Sequence, residues 1–387
     1  MQNKLVHRHF ASPMLRQVGF QVARVKGVNL AQGLCIMPVP QCVIEAARGA
    51  IADGKNLYAA AQGVEELRTA IAGRLASFNR MKASSEQVLI TPGSTGAFEV
   101  ICEAFLRPGD EVVSFIPFYP YHRNTLARRG VTVRYVQLHR PDWSFSRDEL
   151  LAACSARTKF VLITNPHNPT GKVFSEDELQ FIGQVCTERD LFCVTDEVYE
   201  YMTYDGRKHI SLAALPNMAE HTITMSSYSK TFAITGWRIG YLVSPPAVAD
   251  TLKTIADQMF VCPPTPLQHG VAAGVRELGP QYYSDLLESY EKKRALLSNA
   301  LLESGFPHHP PDGAYYIVAH TSERFPGISS EEVVQRMIDE CGVGAVPASD
   351  FLGPQVLGDP EASTFMRFSC AVPDEMLADA ASRLRSW

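Results

Sequence analysis

Short apolar runs and amphipathic segments alternate through most of the chain. Runs rich in β-branched residues at 87–91, 111–116, 131–138, 160–164, 191–195, 222–225 and 239–243 predict strands. Apolar residues at helical spacing in 40–53, 97–106 and 175–189 predict helices between them. Because several of the strands are apolar at nearly every position, both faces of the sheet are expected to be covered. The pattern therefore predicts an α/β fold built on a mostly parallel sheet.

Side chains capable of chemistry follow these strands directly. Asn168 comes after the run 160–164, Asp196 after 191–195 and Lys230 after 222–225. A glycine turn at 92–96 joins a strand to a helix, and the free N–H groups of such a turn attract a phosphate dianion. Ligands of open α/β sheets bind at the carboxyl ends of the strands, so these loops are expected to form one site.

The segment 226–238, SSYSKTFAITGWR, places one lysine among hydroxyl groups, with Arg238 eight residues after Lys230. An amine that attacks an aldehyde near neutral pH needs a lowered pKa, which burial and a neighbouring cation such as Arg238 would supply. The hydroxyls of Ser227 and Ser229 would then bind a phosphate on the aldehyde. A lysine in a serine-rich loop is otherwise an ordinary exposed residue, so this interpretation depends on the rest of the site.

Composition and charge limit the classes of protein that the chain can represent. With 387 residues, 46% of them apolar and 20% charged, one large and one smaller domain are expected. A net charge of −5 without a basic face argues against nucleic acid or an anionic membrane as the main partner. Because no apolar run approaches a membrane span and no secretory h-region opens the sequence, we expect a cytoplasmic enzyme.

Cysteine and histidine spacing gives no sign of a metal site. The nine cysteines are an odd number without a C-x-x-C pair, and the eleven histidines contain no H-E-x-x-H. Reduced and mostly buried thiols are expected, and no metal is implied.

Several separated motifs together resemble one enzyme family. The segment around Lys230 fits S-x-S/G-K-x-F-x-x-x-G-W-R-x-G, 165–171 fits N-P-x-N-P-T-G, 196–199 fits D-E-x-Y, and 58–68 fits Y-x-x-x-x-G-x-x-x-L-R. They resemble the class I/II aminotransferases of fold type I, such as the aspartate, aromatic and kynurenine enzymes, which use pyridoxal phosphate (PLP). The resemblance implies a mostly parallel seven-stranded sheet in a large domain, residues 41–275. It also implies a smaller α+β domain made from both chain ends, residues 1–40 and 276–387.

The same resemblance implies how the cofactor would be held. Lys230 would form the Schiff base and carry the proton, Asp196 would pair with the ring nitrogen, and Tyr119 would stack on the ring. Tyr199 and Asn168 would reach the phenolic oxygen O3′. The phosphate would be held by residues from several loops, namely Ser94, Thr95, Ser227, Arg238 and, across the interface of a homodimer, Tyr58.

For the substrates, an amino acid and a 2-oxo acid, the resemblance implies that the carboxylate lies against Gly33, Asn168 and Arg367. Phe260, with Val261, would form an apolar wall in the active site of the other subunit. Two positions depart from the family pattern. Cys35-Ile36 replaces the usual Pro-Asp after Gly33, and Ala348 replaces the glycine of V-P-G-S-x-F.

The sequence leaves the reaction and the substrate partly open. The same site can run a β-elimination, as a C–S β-lyase on cysteine conjugates. A ligand-sensing module of a regulator would need a fused DNA-binding domain, which the sequence does not suggest. A dicarboxylate substrate would need a second cation, for which Arg16, Arg24 and Arg123 are candidates. Apolar residues such as Leu15, Phe260 and Val261 favour aromatic or sulfur-containing amino acids, or a broad specificity.

Overall fold

The computed structural model describes residues 14–353 and 363–387. The helices are α1 (Met14–Arg24), α2 (Gln41–Ala52), α3 (Glu65–Arg74), α4 (Gly93–Phe105), α5 (Pro120–Arg128), α6 (Arg147–Ala153), α7 (Glu176–Glu188), α8 (Tyr228–Thr231), α9 (Pro246–Phe260), α10 (Thr265–Glu277), α11 (Pro280–Glu303), α12 (Ser330–Cys341) and α13 (Asp374–Ser386). The strands are β1 (Val28–Asn29), β2 (Val88–Thr91), β3 (Glu111–Ile116), β4 (Thr132–Gln137), β5 (Thr158–Thr164), β6 (Phe192–Asp196), β7 (Thr222–Ser227), β8 (Gly240–Val243), β9 (Tyr316–His320), β10 (Val343–Gly344), β11 (Val346–Pro347) and β12 (Phe365–Ser369). No helix in these ranges is both long and apolar enough to cross a membrane.

Seven strands form the central sheet, in the order β2-β8-β7-β6-β5-β3-β4. Neighbours from β7 to β4 are parallel, whereas β8 is antiparallel to both β2 and β7. Parallel strands need crossover connections. Helix α5 lies between β3 and β4, α6 between β4 and β5, and α7, which the sequence predicted, between β5 and β6. The prediction of a mostly parallel seven-stranded sheet is confirmed.

Both faces of this sheet are covered, as the apolar runs required. On β5, Val161 and Ile163 belong to one buried cluster, whereas Phe160 and Leu162 belong to another. Side chains of a strand alternate between its faces, so the two clusters lie on opposite sides of the sheet. Because both faces are covered, the loops that follow the strands meet at the carboxyl edge of the sheet.

Two smaller sheets contain strands from both ends of the described chain. β9, β11 and β12 form an antiparallel sheet in the order β11-β12-β9, and β1 pairs with β10 in parallel. Ile317 and Phe368 of the smaller sheet share a buried cluster with Val113 and Phe115 of β3. The cluster holds the smaller sheets against the large one. The division at residues 40/41 and 275/276 stays a prediction.

The N-terminal region differs most from the sequence pattern. Residues up to 27 showed weak patterning, but Met14–Arg24 is a helix that buries Val18 and Val22 on one side. This two-residue stripe is too short to stand out in the sequence. The run 28–34, which by its residues predicts a short strand, is a strand only at Val28–Asn29. β1 pairs with β10, but the next residue already contacts the end of β12, since the Leu30 carbonyl accepts a hydrogen bond from Ser369 N–H over 2.7 Å.

Candidate active site

A cavity of about 700 Å³ lies at the carboxyl edge of the large sheet. Its walls come from the large sheet, from α1 and from the smaller antiparallel sheet. It brings together the residues predicted to hold the cofactor and the substrate, except Tyr58, Phe260 and Val261. These lining residues are Gly33, Ser94, Thr95, Tyr119, Asn168, Asp196, Tyr199, Ser227, Lys230, Arg238 and Arg367.

Lys230 lies in α8, a single helical turn directly after β7. Ser227 caps this turn, since its Oγ accepts a hydrogen bond from Ser229 N–H over 3.0 Å. The same Oγ lies 3.0 Å from the carbonyl oxygen of Ile239, which ties the turn to the next segment. Lys230 Nζ donates to the carbonyl of Gly33 over 2.9 Å. The amine is therefore directed into the cavity, against the glycine loop.

The start of α4 forms a cradle for an anion. Ser94 and Thr95 lie in its first turn, which has no side-chain cap. Free N–H groups and the helix dipole favour a negative charge there by ~0.3–1 kcal/mol at exposed positions and up to ~2 kcal/mol where sheltered. Arg238 Nη2 donates to the carbonyl of Pro92 over 3.1 Å. Glycine is favoured at 93 because its φ is +71°, and the absent Cβ also leaves room for Arg238 Nη2, which would lie 2.3 Å from it. These groups fit a phosphate.

Asp196, the last residue of β6, is 4% exposed. Its Oδ2 lies 3.3 Å from His122 Nε2. Its Oδ1 is buried and has no hydrogen-bond partner within residues 14–353 and 363–387. A buried polar atom without a partner is costly, so Oδ1 fits a ligand that brings an N–H group. The protonated ring nitrogen of PLP is such a group, and the donor set therefore fits this cofactor.

His122 is a site residue that the sequence analysis missed. Pro120 starts α5, so that Tyr119 and His122 lie about one helical turn apart. Their rings meet edge to face, with centroids 5.1 Å apart and an angle of 87° between the planes. His122 thus touches both the predicted stacking residue and the predicted partner of the ring nitrogen. The contact joins α5 to the end of β6, and no periodic pattern within either segment marks it in the sequence.

Arg367 is 3% exposed in the middle of β12. Nη1 donates to Asn168 Oδ1 over 2.8 Å, and Nη2 donates to the carbonyl of Ala31 over 2.9 Å. The guanidinium carbon lies 4.0 Å from the ring centre of Tyr316 and 4.8 Å from that of Phe351. Nε is buried without a partner in the described part of the chain. A planar cation held in this way suits two-point recognition of a carboxylate.

Tyr316 is the second residue that the sequence analysis missed. The apolar and aromatic run 313–318 by itself predicts only a strand, yet the hydroxyl of Tyr316 accepts a hydrogen bond of 3.2 Å from the hydroxyl of Tyr199. In the antiparallel register Arg367 pairs with Val318, so Tyr316 lies two residues further along the same face of β9. This register depends on how distant segments pair, which the sequence pattern does not give. Burial raises the pKa of Tyr199, which keeps its hydroxyl protonated.

Tyr58 and Phe260 lie away from the cavity of their own chain. The Tyr58 side chain is 83% exposed, beside Leu57, which is 82% exposed. Phe260 ends α9 and packs against the buried cluster that includes Leu252 and Ala256. The predicted roles of Tyr58 and Phe260 concern the active site of another subunit and stay predictions.

Cys35, where the family pattern has proline, adopts a backbone that proline does not allow. Its φ is +54°, whereas the proline ring fixes φ near −65°. Its thiol lies 3.2 Å from the Lys230 carbonyl oxygen and 3.1 Å from Tyr290 Oη. Burial raises the pKa of this thiol. Cys35 therefore packs behind the lysine turn as a neutral side chain.

A buried polar cluster follows Asp196 in the chain but does not line the cavity. Glu197, Glu200 and His209 offer ligand atoms within 4.8 Å of one another. Protein groups already engage them, since His209 Nε2 lies 2.9 Å from Glu197 and Asn79 donates to Glu200 over 2.7 Å. Burial opposes the charged form of His209, but Glu197 outweighs it and the pKa of His209 is raised. The cluster is accounted for as an internal ion pair with hydrogen bonds.

The fold and the cavity bring a lysine, a buried carboxylate oxygen without a partner in the described ranges and an anion cradle to one edge of a mostly parallel sheet. The family model described as aminotransferase class I and II matches residues 25–384. The chain therefore belongs to the class I and II aminotransferases. Enzymes of this family and fold depend on PLP, so the chain is a PLP-dependent aminotransferase that acts on amino acids and 2-oxo acids.

Characterised relatives agree with this assignment. The chain is 30% identical to kynurenine–oxoglutarate transaminase 3 of Rattus norvegicus, over 93% of this chain and 85% of the relative. It is 33% identical to aromatic-amino-acid aminotransferase 2 of Thermococcus litoralis, over 92% and 90%. These names describe transaminases, so the alternative of a C–S β-lyase is not favoured.

Solved structures show the same fold. A structure from Escherichia coli with an identified methionine aminotransferase function superposes with a TM-score of 0.92 at 29% identity, covering 98% of both chains. N-succinyldiaminopimelate aminotransferase from Mycobacterium tuberculosis superposes with a TM-score of 0.92 at 31% identity, also covering 98% of both. The predicted fold type I is confirmed.

Proposed function

We propose that the enzyme transfers an amino group from an L-amino acid to a 2-oxo acid in two half-reactions of ping-pong order. Lys230 supplies the amine that holds the PLP aldehyde and carries the proton. The observation that supports this most is the convergence of three groups on one cavity: Lys230 Nζ, the unpaired Oδ1 of Asp196 and the guanidinium of Arg367.

We assign the cofactor contacts as follows. Asp196 pairs with the ring nitrogen, Tyr199 and Asn168 bind O3′, and Tyr119 covers the ring. The phosphate is bound by Ser94, Thr95, Ser227 and Arg238. When bound, PLP supplies an electron sink for the electron pair of the broken Cα–H bond. The carboxylate of Asp196 sustains this sink, because an anion beside the ring nitrogen favours its protonated form.

The substrate is positioned by its α-carboxylate. Arg367 binds this group together with Asn168 and the Gly33 amide. The rings on both sides of the guanidinium limit its rotation, so the substrate Cα is directed toward Lys230. Lys230 Nζ takes the proton from Cα and returns a proton at the end of the half-reaction. Positioned proton transfer of this kind typically contributes ~10²–10⁴-fold to the rate.

The cavity wall supports a donor with an apolar or sulfur-containing side chain. Leu15, Phe20 and Leu34 line its outer part. Of the three candidate cations, Arg16 lines the cavity, whereas Arg123 Nη1 is engaged by the carbonyl of Leu352 at 3.0 Å. We assign Arg16 to the second carboxylate of a dicarboxylic 2-oxo acid. Relatives are named for kynurenine, aromatic amino acids and methionine and, at 32% identity, for aspartate, so the apolar donor is proposed from the cavity wall.

A panel of amino donors tests the function. Each amino acid is added alone to the PLP-loaded enzyme, and the half-reaction is read from the loss of the cofactor's visible band. Phenylalanine, kynurenine and methionine are expected to react faster than aspartate. Pyruvate, 2-oxoglutarate and oxaloacetate are then compared for restoring the band. If no amino acid changed the band, or if pyruvate and ammonia formed from a cysteine conjugate without an oxo-acid acceptor, the proposal would be wrong.

We also propose a homodimer with shared active sites. The exposed pair Leu57 and Tyr58 lines a surface hollow with Thr265 and His269, and an apolar pair of this exposure suits an interface. Tyr58 then reaches the phosphate in the other subunit, and Phe260 reaches its substrate pocket. Sedimentation is expected to give twice the chain mass of 42.7 kDa. A fully active species of one chain mass would contradict this arrangement.

The proposed compartment is the cytoplasm. All nine cysteines are free, and all of them lie in the described ranges. Free thiols in this number suit a reducing compartment. Fractionation of cells that make the protein at natural levels would test this, and recovery outside the cytoplasm would contradict it.

A further inference from the structure

We propose that Tyr316 is a positioning residue of the reaction. Its hydroxyl sets the hydrogen bond made by Tyr199, and its ring fixes the plane of Arg367. The inference rests on the roles proposed above for Tyr199 and Arg367. Tyr316 is the first residue of β9, is 4% exposed and lines the cavity, so its side chain is enclosed at the centre of the site.

The hydroxyl of Tyr316 is held by close neighbours. It lies 3.2 Å from the hydroxyl of Tyr199. A Cβ on Gly33 would lie 2.3 Å from it, so the loop whose carbonyl accepts from Lys230 passes directly over it. Hydrogen bonds in a chain strengthen one another. In this structure the Tyr199 hydroxyl donates to Tyr316. When Tyr199 turns its proton to O3′, its oxygen accepts from Tyr316 instead, and this second bond makes Tyr199 a stronger donor toward O3′.

Charges around this hydroxyl favour donation. The titratable groups that face it come from several elements: Arg367 of β12, Lys230 of α8, Tyr199 after β6, Tyr119 before α5 and Tyr315 beside it. Burial alone would raise the pKa of Tyr316, but Arg367 and Lys230, together with hydrogen bonds to Tyr199 and Tyr315, outweigh burial and the pKa is lowered. A more acidic phenol is a better hydrogen-bond donor.

The ring of Tyr316 has a separate task. The guanidinium carbon of Arg367 lies 4.0 Å from the ring centre, within the range of a cation–π contact. The hydrogen bonds to Asn168 and Ala31 fix two nitrogens of the guanidinium, and the ring fixes its plane. Hydroxyl and ring can therefore be separated by experiment, because phenylalanine keeps the ring and leucine removes both.

Tyr316→Phe is expected to raise the pH midpoint of the holoenzyme's visible absorption band by about half to one pH unit, the equivalent of one lost hydrogen bond. The visible band reports the loss of a proton from the Lys230 nitrogen that holds the cofactor. With a weaker hydrogen-bond donor at O3′, this nitrogen keeps its proton to a higher pH, so the midpoint moves upward. KM for the amino acid should change little. Tyr316→Leu should raise both the midpoint and KM, because Arg367 also loses the aromatic ring against which its guanidinium packs.

A double-mutant cycle identifies the route of the effect. In a Tyr199→Phe background, Tyr316→Phe should give no further shift, since its hydroxyl acts through Tyr199. Tyr316→3-fluorotyrosine, which is more acidic at nearly the same shape, should move the midpoint downward. This variant also serves if Tyr316→Phe does not fold.

The matched control is Tyr204→Phe. Tyr204 is fully buried and donates its hydroxyl to the carbonyl of Ala314, two residues before Tyr316. Its loss should lower thermal stability without moving the midpoint. An unchanged midpoint in the folded Tyr316→Phe or fluorotyrosine enzyme, or a full shift that persists without the Tyr199 hydroxyl, overturns the inference. If the midpoint of the visible band still shifted in Tyr199→Phe, the role proposed for Tyr199 at O3′, and with it the proposed function, would still hold.

Discussion

Lys230→Ala is expected to abolish transamination while the protein still folds and binds PLP. The cradle at the start of α4, together with Asp196 and Tyr199, remains to hold the cofactor. The variant lacks both the amine that holds the aldehyde and the group that moves the Cα proton. Loss of the positioned proton transfer alone removes ~10²–10⁴-fold of the rate. The measurement is the single-turnover half-reaction with the best amino donor, together with borohydride reduction, which should trap no covalent linkage.

Lys253→Ala is the matched control for this prediction. Lys253 of α9 has a side chain that is 17% exposed and pairs with Asp250 of the same helix and with Glu86 just before β2, away from the cavity. Its removal should cost a little stability and leave both turnover and the trapped linkage unchanged. Retained turnover in Lys230→Ala would remove Lys230 from its role. A loss of PLP binding in this variant would instead show that the cradle needs the lysine.

The central sheet could be predicted from the sequence because its strands are buried on both faces. Runs such as 160–164 are apolar throughout, and the helices between them have a clear period. The predicted strand 111–116 coincides with β3 (Glu111–Ile116). Polar residues that follow such runs must emerge at the carboxyl edge, which is why the sequence alone could assign Asn168, Asp196 and Lys230 to one site.

The rest of the site depends on pairings that have no local signal. Tyr316 reaches Tyr199 only because β9 pairs with β12 in one particular register. His122 reaches Asp196 because α5 starts at Pro120 and directs its first turn toward the end of β6. Helix α1 enters the wall of the cavity through Leu15 and Phe20, yet it is anchored by few buried residues. In each case the contact joins segments that are distant in the chain, and periodicity within one segment does not encode it.

Asp196→Asn is expected to lower the rate of the half-reaction by roughly 10²- to 10⁴-fold. Removing one partner of a buried charge pair costs ~3–5 kcal/mol, which corresponds to a change of this size when it acts on the barrier. Asparagine keeps the shape of the side chain but loses the negative charge that favours a protonated ring nitrogen. The remaining ring withdraws fewer electrons from Cα. The single-turnover rate with the best donor and the equilibrium affinity for PLP are measured together.

A PLP analogue methylated at the ring nitrogen separates charge from shape in this variant. It carries a permanent positive charge, so it should restore part of the lost rate in Asp196→Asn and give no gain in the unaltered enzyme. Glu111→Gln serves as the control, because Glu111 is 2% exposed at the start of β3 and pairs with Arg157, far along the strand from the cavity. Its loss should lower stability and leave the rate unchanged. If the analogue gave the variant no gain, the effect of Asp196 on the rate would come from packing around His122 instead of from its charge at the ring.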